Sequence, residues 1–179
     1  MALCKKCDSK QASRDTLYRM VNFYYLCQFI VQDNILPQSK MYALKVNGKR
    51  QSGVSFSRNA RFTFDKSVRL VVDGKKLGQR YKIHPVLDPG GYGVRNQKNL
   101  AGGYVEPEAE EFVIGGIDNI QKYLSKIDIN YNSAKRDFLE MLYDYTEILD
   151  KDEADITEED FDYLLRYIQE KITVPVNIT

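Results

Sequence analysis

The stretch Ala109-Glu110-Glu111-Phe112-Val113-Ile114 sets two adjacent carboxylates at the mouth of an apolar run. Phe112, Val113 and Ile114 are strand-favouring residue types, so the stretch reads as a β-strand opened by acid. It follows the longest irregular segment, residues 85–106, which carries Gly90, Gly91, Gly93, Gly102 and Gly103, five of the eleven glycines. A loop of that length within a domain is commonly a functional one. Downstream, Ile117, Ile120, Tyr123 and Leu124 predict a short amphipathic helix, and Ile127-Asp128-Ile129 a further strand.

Upstream, Thr16-Leu17-Tyr18-Arg19-Met20-Val21 reads as a strand, with Asn22 as the N-cap of a helix from Phe23 to Leu36. Met41 to Val46 alternates and runs into Asn47-Gly48, a strong hairpin signal. Gly53-Val54-Ser55-Phe56-Ser57 predicts a strand with Val54 and Phe56 on one face and Ser55 and Ser57 on the other. Val68 to Val72 is another, closed by Asp73-Gly74, and Tyr81-Lys82-Ile83 one more. After Tyr131 the pattern turns helical: Phe138, Leu142, Tyr145 and Leu149, then Phe161, Leu164, Leu165, Ile168 and Ile172. Thr157-Glu158-Glu159-Asp160 between them resembles a capping box. The expectation is an α+β fold: a twisted, mostly antiparallel sheet core with flanking helices and an acidic C-terminal helical hairpin. Residues 1–14 read as a flexible basic tail, 15–132 as the α+β body and 133–179 as the helical hairpin.

A chain of 179 residues with 43% hydrophobic and 28% charged residues is globular in composition and long enough for a core without disulfides or metals. It contains no run of about 18 apolar residues, so no membrane span is expected. The opening Met1-Ala2-Leu3-Cys4-Lys5-Lys6-Cys7 lacks the apolar region of a secretory signal. A cytoplasmic setting is the default, the host cytoplasm if a phage encodes the protein. The three cysteines are an odd number, and Cys4-x-x-Cys7 is only half of a zinc spacing, so no metal site is expected. Nothing in the pattern sets an oligomeric state.

The net charge of +1 conceals a strong asymmetry. Residues 1–100 hold 19 Lys and Arg against 6 Asp and Glu; residues 101–179 hold 7 against 19. The first half can offer a positive field to a nucleotide or nucleic acid; alternatively the two halves serve as mutually attracting or solvated surface. The only histidine is His84, so the usual general base for a Ser or Cys nucleophile is missing. No Walker loop or glycine-fingerprint βαβ unit is present, which sets aside ordinary kinases and nicotinamide dehydrogenases.

The order Leu17-Tyr18-Arg19, a helix, Gly53-Val54-Ser55-Phe56-Ser57-Arg58, then Ala109-Glu110-Glu111-Phe112-Val113-Ile114 resembles the ADP-ribosyltransferases. The DNA-modifying toxins of that family and their small phage-type relatives are the nearest in flavour. The resemblance spans about residues 16–130. It implies NAD as substrate and a protein or nucleic-acid acceptor. It also implies that Arg19 holds NAD, that Ser55 occupies the serine position of the second motif, and that Glu111 is catalytic, with Glu110 the close competitor. Ser57 and Arg58 are further candidate NAD-binding residues, and Arg58 and Arg61 candidates for phosphates or a nucleic-acid target. With Glu111 as the catalytic residue, Ala109 departs from the Glu or Gln that the family carries two places earlier to select the acceptor. With Glu110, the run Glu108-Ala109-Glu110 supplies a Glu-x-Glu pair. The chemistry suits these residue types. Cleavage at the ribose passes through an oxocarbenium-like transition state, which needs a nearby carboxylate and a guanidinium on the pyrophosphate, but no histidine or metal.

The same residues have plainer readings: Arg19 as a salt-bridged arginine, Ser55 and Ser57 as the wet face of an edge strand, Glu110 and Glu111 as a solvated strand entrance. The alternative function is a non-catalytic, virus-encoded binding protein or inhibitor that uses its acidic C-terminal helices.

Overall fold

Leu17, Arg19 and Val21 are buried while the residues between them are partly open, the two-residue alternation that makes Thr16–Val21 strand β1. The computed structural model describes residues 15–37, 44–46, 49–58, 60, 66–85 and 110–179. The basic tail with Cys4 and Cys7, Met41 to Ala43, Arg61 and residues 86–109 of the glycine-rich segment lie outside them. The strands that follow are β2 Asn34–Ile35, β3 Leu44–Val46, β4 Lys49–Gln51, β5 Gly53–Ser57, β6 Val68–Asp73, β7 Ile83–Pro85, β8 Glu110–Ile114, β9 Ile117–Asp118, β10 Leu124–Ile129 and β11 Val176–Ile178. The main sheet has seven strands in the order β11-β10-β6-β1-β5-β8-β7; two small sheets pair β2 with β9 and β3 with β4. The fold is α+β with a mostly antiparallel sheet, as the patterning predicts. Among the described residues no helix is long and apolar enough to cross a membrane.

The chain divides into two compact units, one of Met1–Arg19, Ile35–Thr63 and Val72–Ile117, the other of Met20–Asn34, Phe64–Val71 and Asp118–Thr179. In the first, β5 pairs antiparallel with β1 (Tyr18 opposite Ser57) and with β8 (Gly53 opposite Ile114, Ser57 opposite Glu110). β5 is therefore an interior strand, not an edge. β3 and β4 pair antiparallel with Val46 opposite Lys49; Asn47-Gly48 between them, read as a hairpin turn, lies outside the described residues. Asp73, read from sequence as closing the strand, also caps a helix that the patterning did not predict, α2 (Gly74–Arg80), its side chain accepting from the Lys76 amide at 2.9 Å.

Gly53 is required by close approach. A Cβ there would lie 2.0 Å from the Val113 carbonyl oxygen and 2.6 Å from the Phe112 ring. Gly53→Ala is expected to force β5 and β8 apart and to cost about 1–3 kcal/mol, the range of small-to-large changes at packed sites. Urea unfolding would read this as a lower midpoint at constant slope; an unchanged midpoint would mean that the strands separate freely.

In the second unit, Asn22 caps helix α1 (Phe23–Tyr25) by accepting from the Tyr25 amide, and the helix continues as a π-turn over Leu26–Ile30. The helix stops short of the expected Leu36. Asp33 adopts a left-handed φ of 62°, and its carboxylate accepts from the Gln121 amide at 2.7 Å. The helix expected over Ile117 to Leu124 is also corrected: β9, a 3-10 turn over Ile120–Lys122 and β10 occupy it, after a left-handed Asn119. The C-terminal segment forms three helices, α3 (Tyr131–Glu140), α4 (Leu142–Leu149) and α5 (Glu158–Lys171), broken at Met141 and between 150 and 157. The Thr157/Asp160 capping box is present. β11 then pairs parallel to β10, so these helices form the crossover that a parallel pair needs. Phe23, Phe138, Tyr145 and Phe161 form the aromatic centre of this unit, with ring centroids 4.7 Å apart for Phe138 and Tyr145 and 5.1 Å for Phe23 and Phe161. Cys27 lies among the buried residues, where desolvation pushes its thiol up, away from reactivity.

Candidate active site

Three described segments of the first unit carry the residues singled out from sequence: β1 with Arg19, β5 with Ser55, Ser57 and the following Arg58, and β8 with Glu110 and Glu111. Successive side chains of a strand point to opposite faces, so Glu110 and Glu111 face opposite ways. The β5–β8 register decides which face each takes. Ser57 lies opposite Glu110 and Phe56 opposite Glu111. Glu110 therefore shares a face with Ser55 and Ser57, while Glu111 shares one with Phe56 and Val54.

On the serine face, the Ser55 hydroxyl donates to Glu110 Oε1 at 2.6 Å, a diagonal cross-strand contact. Tyr18 opposite Ser57 sets Arg19 opposite Phe56, so its buried side chain starts from the other face, and its guanidinium donates through Nη1 to the Ser55 backbone carbonyl at 2.7 Å. Arg19, Ser55 and Glu110 thus form one connected set. Burial raises the Glu110 carboxyl above its ordinary value; the Ser55 hydrogen bond and the Arg19 charge partly offset this. The result is a half-buried carboxylate, hydrogen-bonded to Ser55 and within the electrostatic reach of Arg19. Such a group can stabilise positive charge developing on a substrate or take up a proton.

Arg58 and Glu111 lie on the face of Phe56, the face that the Tyr18–Ser57 pairing also gives to Arg19. Arg58 Nε stands 3.0 Å from Glu111 Oε1, and their side chains are 10% and 0% exposed. Glu111, which the family resemblance puts first, is enclosed; Glu110, the competitor, is the carboxylate joined to Ser55. Ser57 is buried, which does not fit the wet face of an edge strand. His84 sits in β7 opposite Phe112, its imidazole held below its ordinary value by burial and by Lys82. Among the described residues no group of three or more His, Cys, Asp or Glu is arranged to hold a metal ion.

No family model matches the chain, and no curated protein matches it. Solved structures do. Thermus sp. 2.9 DarT in complex with NAD+ aligns at 8% identity over 95% of this chain and 98% of its own, with a TM-score of 0.52. The same protein in complex with ADP-ribosylated single-stranded DNA aligns at 8% identity over the same shares, with a TM-score of 0.51. At that identity the likeness is one of fold, and it extends over nearly the whole of both chains.

Proposed function

We propose that this chain is an NAD-dependent ADP-ribosyltransferase with a nucleic-acid acceptor, and that Glu110 is the carboxylate at the reacting ribose. The observation that carries the reading is the Arg19–Ser55–Glu110 set, in which residues from three strands are joined by hydrogen bonds of 2.7 and 2.6 Å. Two further facts support it. The fold is that of DarT, whose structures hold NAD+ and ADP-ribosylated single-stranded DNA. The first hundred residues carry a strong positive excess suited to a polyanion.

In this reading Arg19 engages the pyrophosphate of NAD, where a guanidinium makes charge-assisted contacts. The bond between ribose C1 and the nicotinamide nitrogen breaks, and its electron pair leaves with nicotinamide. Glu110 stabilises the oxocarbenium-like ribose. A lone pair of the acceptor closes the new bond to C1, and the acceptor's proton passes to Glu110. Ser55 holds the carboxylate in place through its hydroxyl.

The test uses NAD labelled in its adenylate phosphate, with single-stranded DNA, duplex DNA, RNA or a protein mixture as acceptor, and reads released nicotinamide alongside transferred label. Label on a nucleic acid with stoichiometric nicotinamide is the expected result. Label on protein alone would change the acceptor. No NAD binding by calorimetry at millimolar concentration, with no release, would overturn the reading. Arg19→Lys, which keeps the charge but loses the planar fork, is expected to raise KM for NAD about 10–100-fold, the worth of a charge-assisted hydrogen bond. An unchanged KM would remove Arg19 from the site.

A second reading, docking of a basic partner protein, is favoured by the α3–α4 junction. Leu139, Met141 and Tyr143 are 42%, 40% and 74% exposed there, beside Glu140, Asp144 and Glu147. Deleting 133–179 would not test it, because that segment supplies Phe138, Phe161 and β11 to the core and sheet. Tyr143→Asp is the cleaner probe: loss of a co-purifying partner at unchanged nicotinamide release would support docking.

A further inference from the structure

Glu110 is the first residue of β8, and nothing in the local sequence distinguishes it from Glu111. Either glutamate could face Ser55 if β8 slid by one residue, because a one-residue slip exchanges the two faces of a strand. The face opposite Ser55 carries the discriminating feature. Arg58, one residue beyond β5, reaches Glu111 at 3.0 Å, and both side chains are almost fully enclosed. Glu111 is also backbone-paired on both sides, to Phe56 of β5 and to Pro85 of β7. The ion pair thus stands at the end of β8 where Glu110 is presented, and ties that end to the end of β5.

Burying two charges costs several kcal/mol per ion, and a well-packed apolar pair of similar volume often serves stability as well or better. What the ion pair adds is attraction between two fixed charges 3.0 Å apart in an enclosed place, where it is screened little, whereas an apolar contact lets a strand end drift by tenths of an ångström.

We infer that Arg58 and Glu111 are positioning residues, a buried ion pair that holds the first turn of pairing between β8 and β5 so that the Glu110 carboxylate meets Ser55. The inference rests on the proposed transferase reading for its link to activity, but its geometric claim is independent of it. It assigns the two adjacent glutamates unlike tasks: Glu110 works on the reacting ribose, and Glu111 sets where Glu110 stands.

The test compares the parent with Arg58→Met/Glu111→Leu, an apolar pair, and with Arg58→Lys, which keeps a charged donor. Three quantities are read: melting temperature, kcat and KM for nicotinamide release, and the Glu110 carboxyl titration by carbon-13 NMR, assigned with Glu110→Gln. The apolar pair is expected to fold and melt near the parent, to lose about 10–100-fold in kcat, as expected of a sub-ångström to 1 Å misplacement, and to keep KM within about threefold. Its Glu110 titration should move toward that of an ordinary exposed glutamate, and Arg58→Lys should restore parental kcat and titration to within about threefold. An apolar pair with parental kcat and titration would overturn the inference and leave the ion pair purely structural. If the apolar pair loses its cooperative melt, Arg58→Lys, which keeps the charge, is set against Arg58→Gln, which does not: parental kcat and titration in the first with a loss of both in the second at matched melting temperature carry the inference, and no loss in either, or a drop in kcat that merely tracks melting temperature, overturns it. If the parent releases no nicotinamide, the transferase reading fails, and the titration alone decides the positioning.

Discussion

Glu110→Gln is expected to reduce nicotinamide release by about 10²–10³-fold or more, the scale on which removal of one preorganised electrostatic group acts, while raising the melting temperature at neutral pH. The activity half follows from the place of Glu110 against Ser55 and under the influence of Arg19. Gln keeps the shape and can still accept from Ser55, but it carries no charge for an oxocarbenium-like ribose and no basic site. The stability half follows from linkage. Burial raises the folded pKa of Glu110 above its unfolded value. As pH rises between the two, the unfolded chain releases its proton first, so folding loses stability across that window, and the penalty is complete above the folded pKa. Below the ordinary glutamate value of about 4.3 there is no penalty. The gain in Glu110→Gln should therefore be present at neutral pH and absent in acid. In the parent, activity should climb through the raised Glu110 pKa, since the anion does the work. Parental turnover in Glu110→Gln would sink the assignment; a lower melting temperature at neutral pH would contradict the burial argument.

The largest loss of stability is expected at Phe161. Its ring is fully buried, 5.1 Å from Phe23, 5.4 Å from Tyr131 and 5.6 Å from Phe138. Phe161→Ala removes transfer energy and leaves a cavity bounded by other large rings, which cannot all close on it. The cost is about 3–5 kcal/mol, a large fraction of the roughly 5–15 kcal/mol that holds a domain together. Urea unfolding measures it directly. A loss below about 1 kcal/mol would mean that the cluster collapses into the space, contrary to the packing of four aromatics around one helix.

Where a structural choice is local, the sequence carries it. Asn22 before Phe23 and Thr157 three residues ahead of Asp160 each specify a cap with their own side chains, and both caps are found; the two strands that flank Asn47-Gly48 pair with each other. Asp73-Gly74 shows the limit of such signals, because an aspartate before a glycine can open a helix as well as close a strand. Ile117, Ile120 and Leu124 have helical spacing, yet they belong to a strand, a 3-10 turn and the next strand, since left-handed Asn119 breaks the run. β11 has no strong pattern of its own and exists by pairing with β10. The candidate site divides the same way. Arg19, Ser55 and a glutamate at 110 or 111 were legible as residue types in order. Which glutamate faces Ser55 was not, because that depends on pairing between segments 55 residues apart.

That separation has a kinetic side. Arg19 reaches Ser55 across 36 positions and Ser55 reaches Glu110 across 55. Contacts so distant along a chain close late, because loop entropy is spent before they return anything. A parallel β10–β11 pair completed through three helices adds to the delay. Chains diluted out of denaturant should recover secondary structure early and any catalytic power only with their slowest refolding phase.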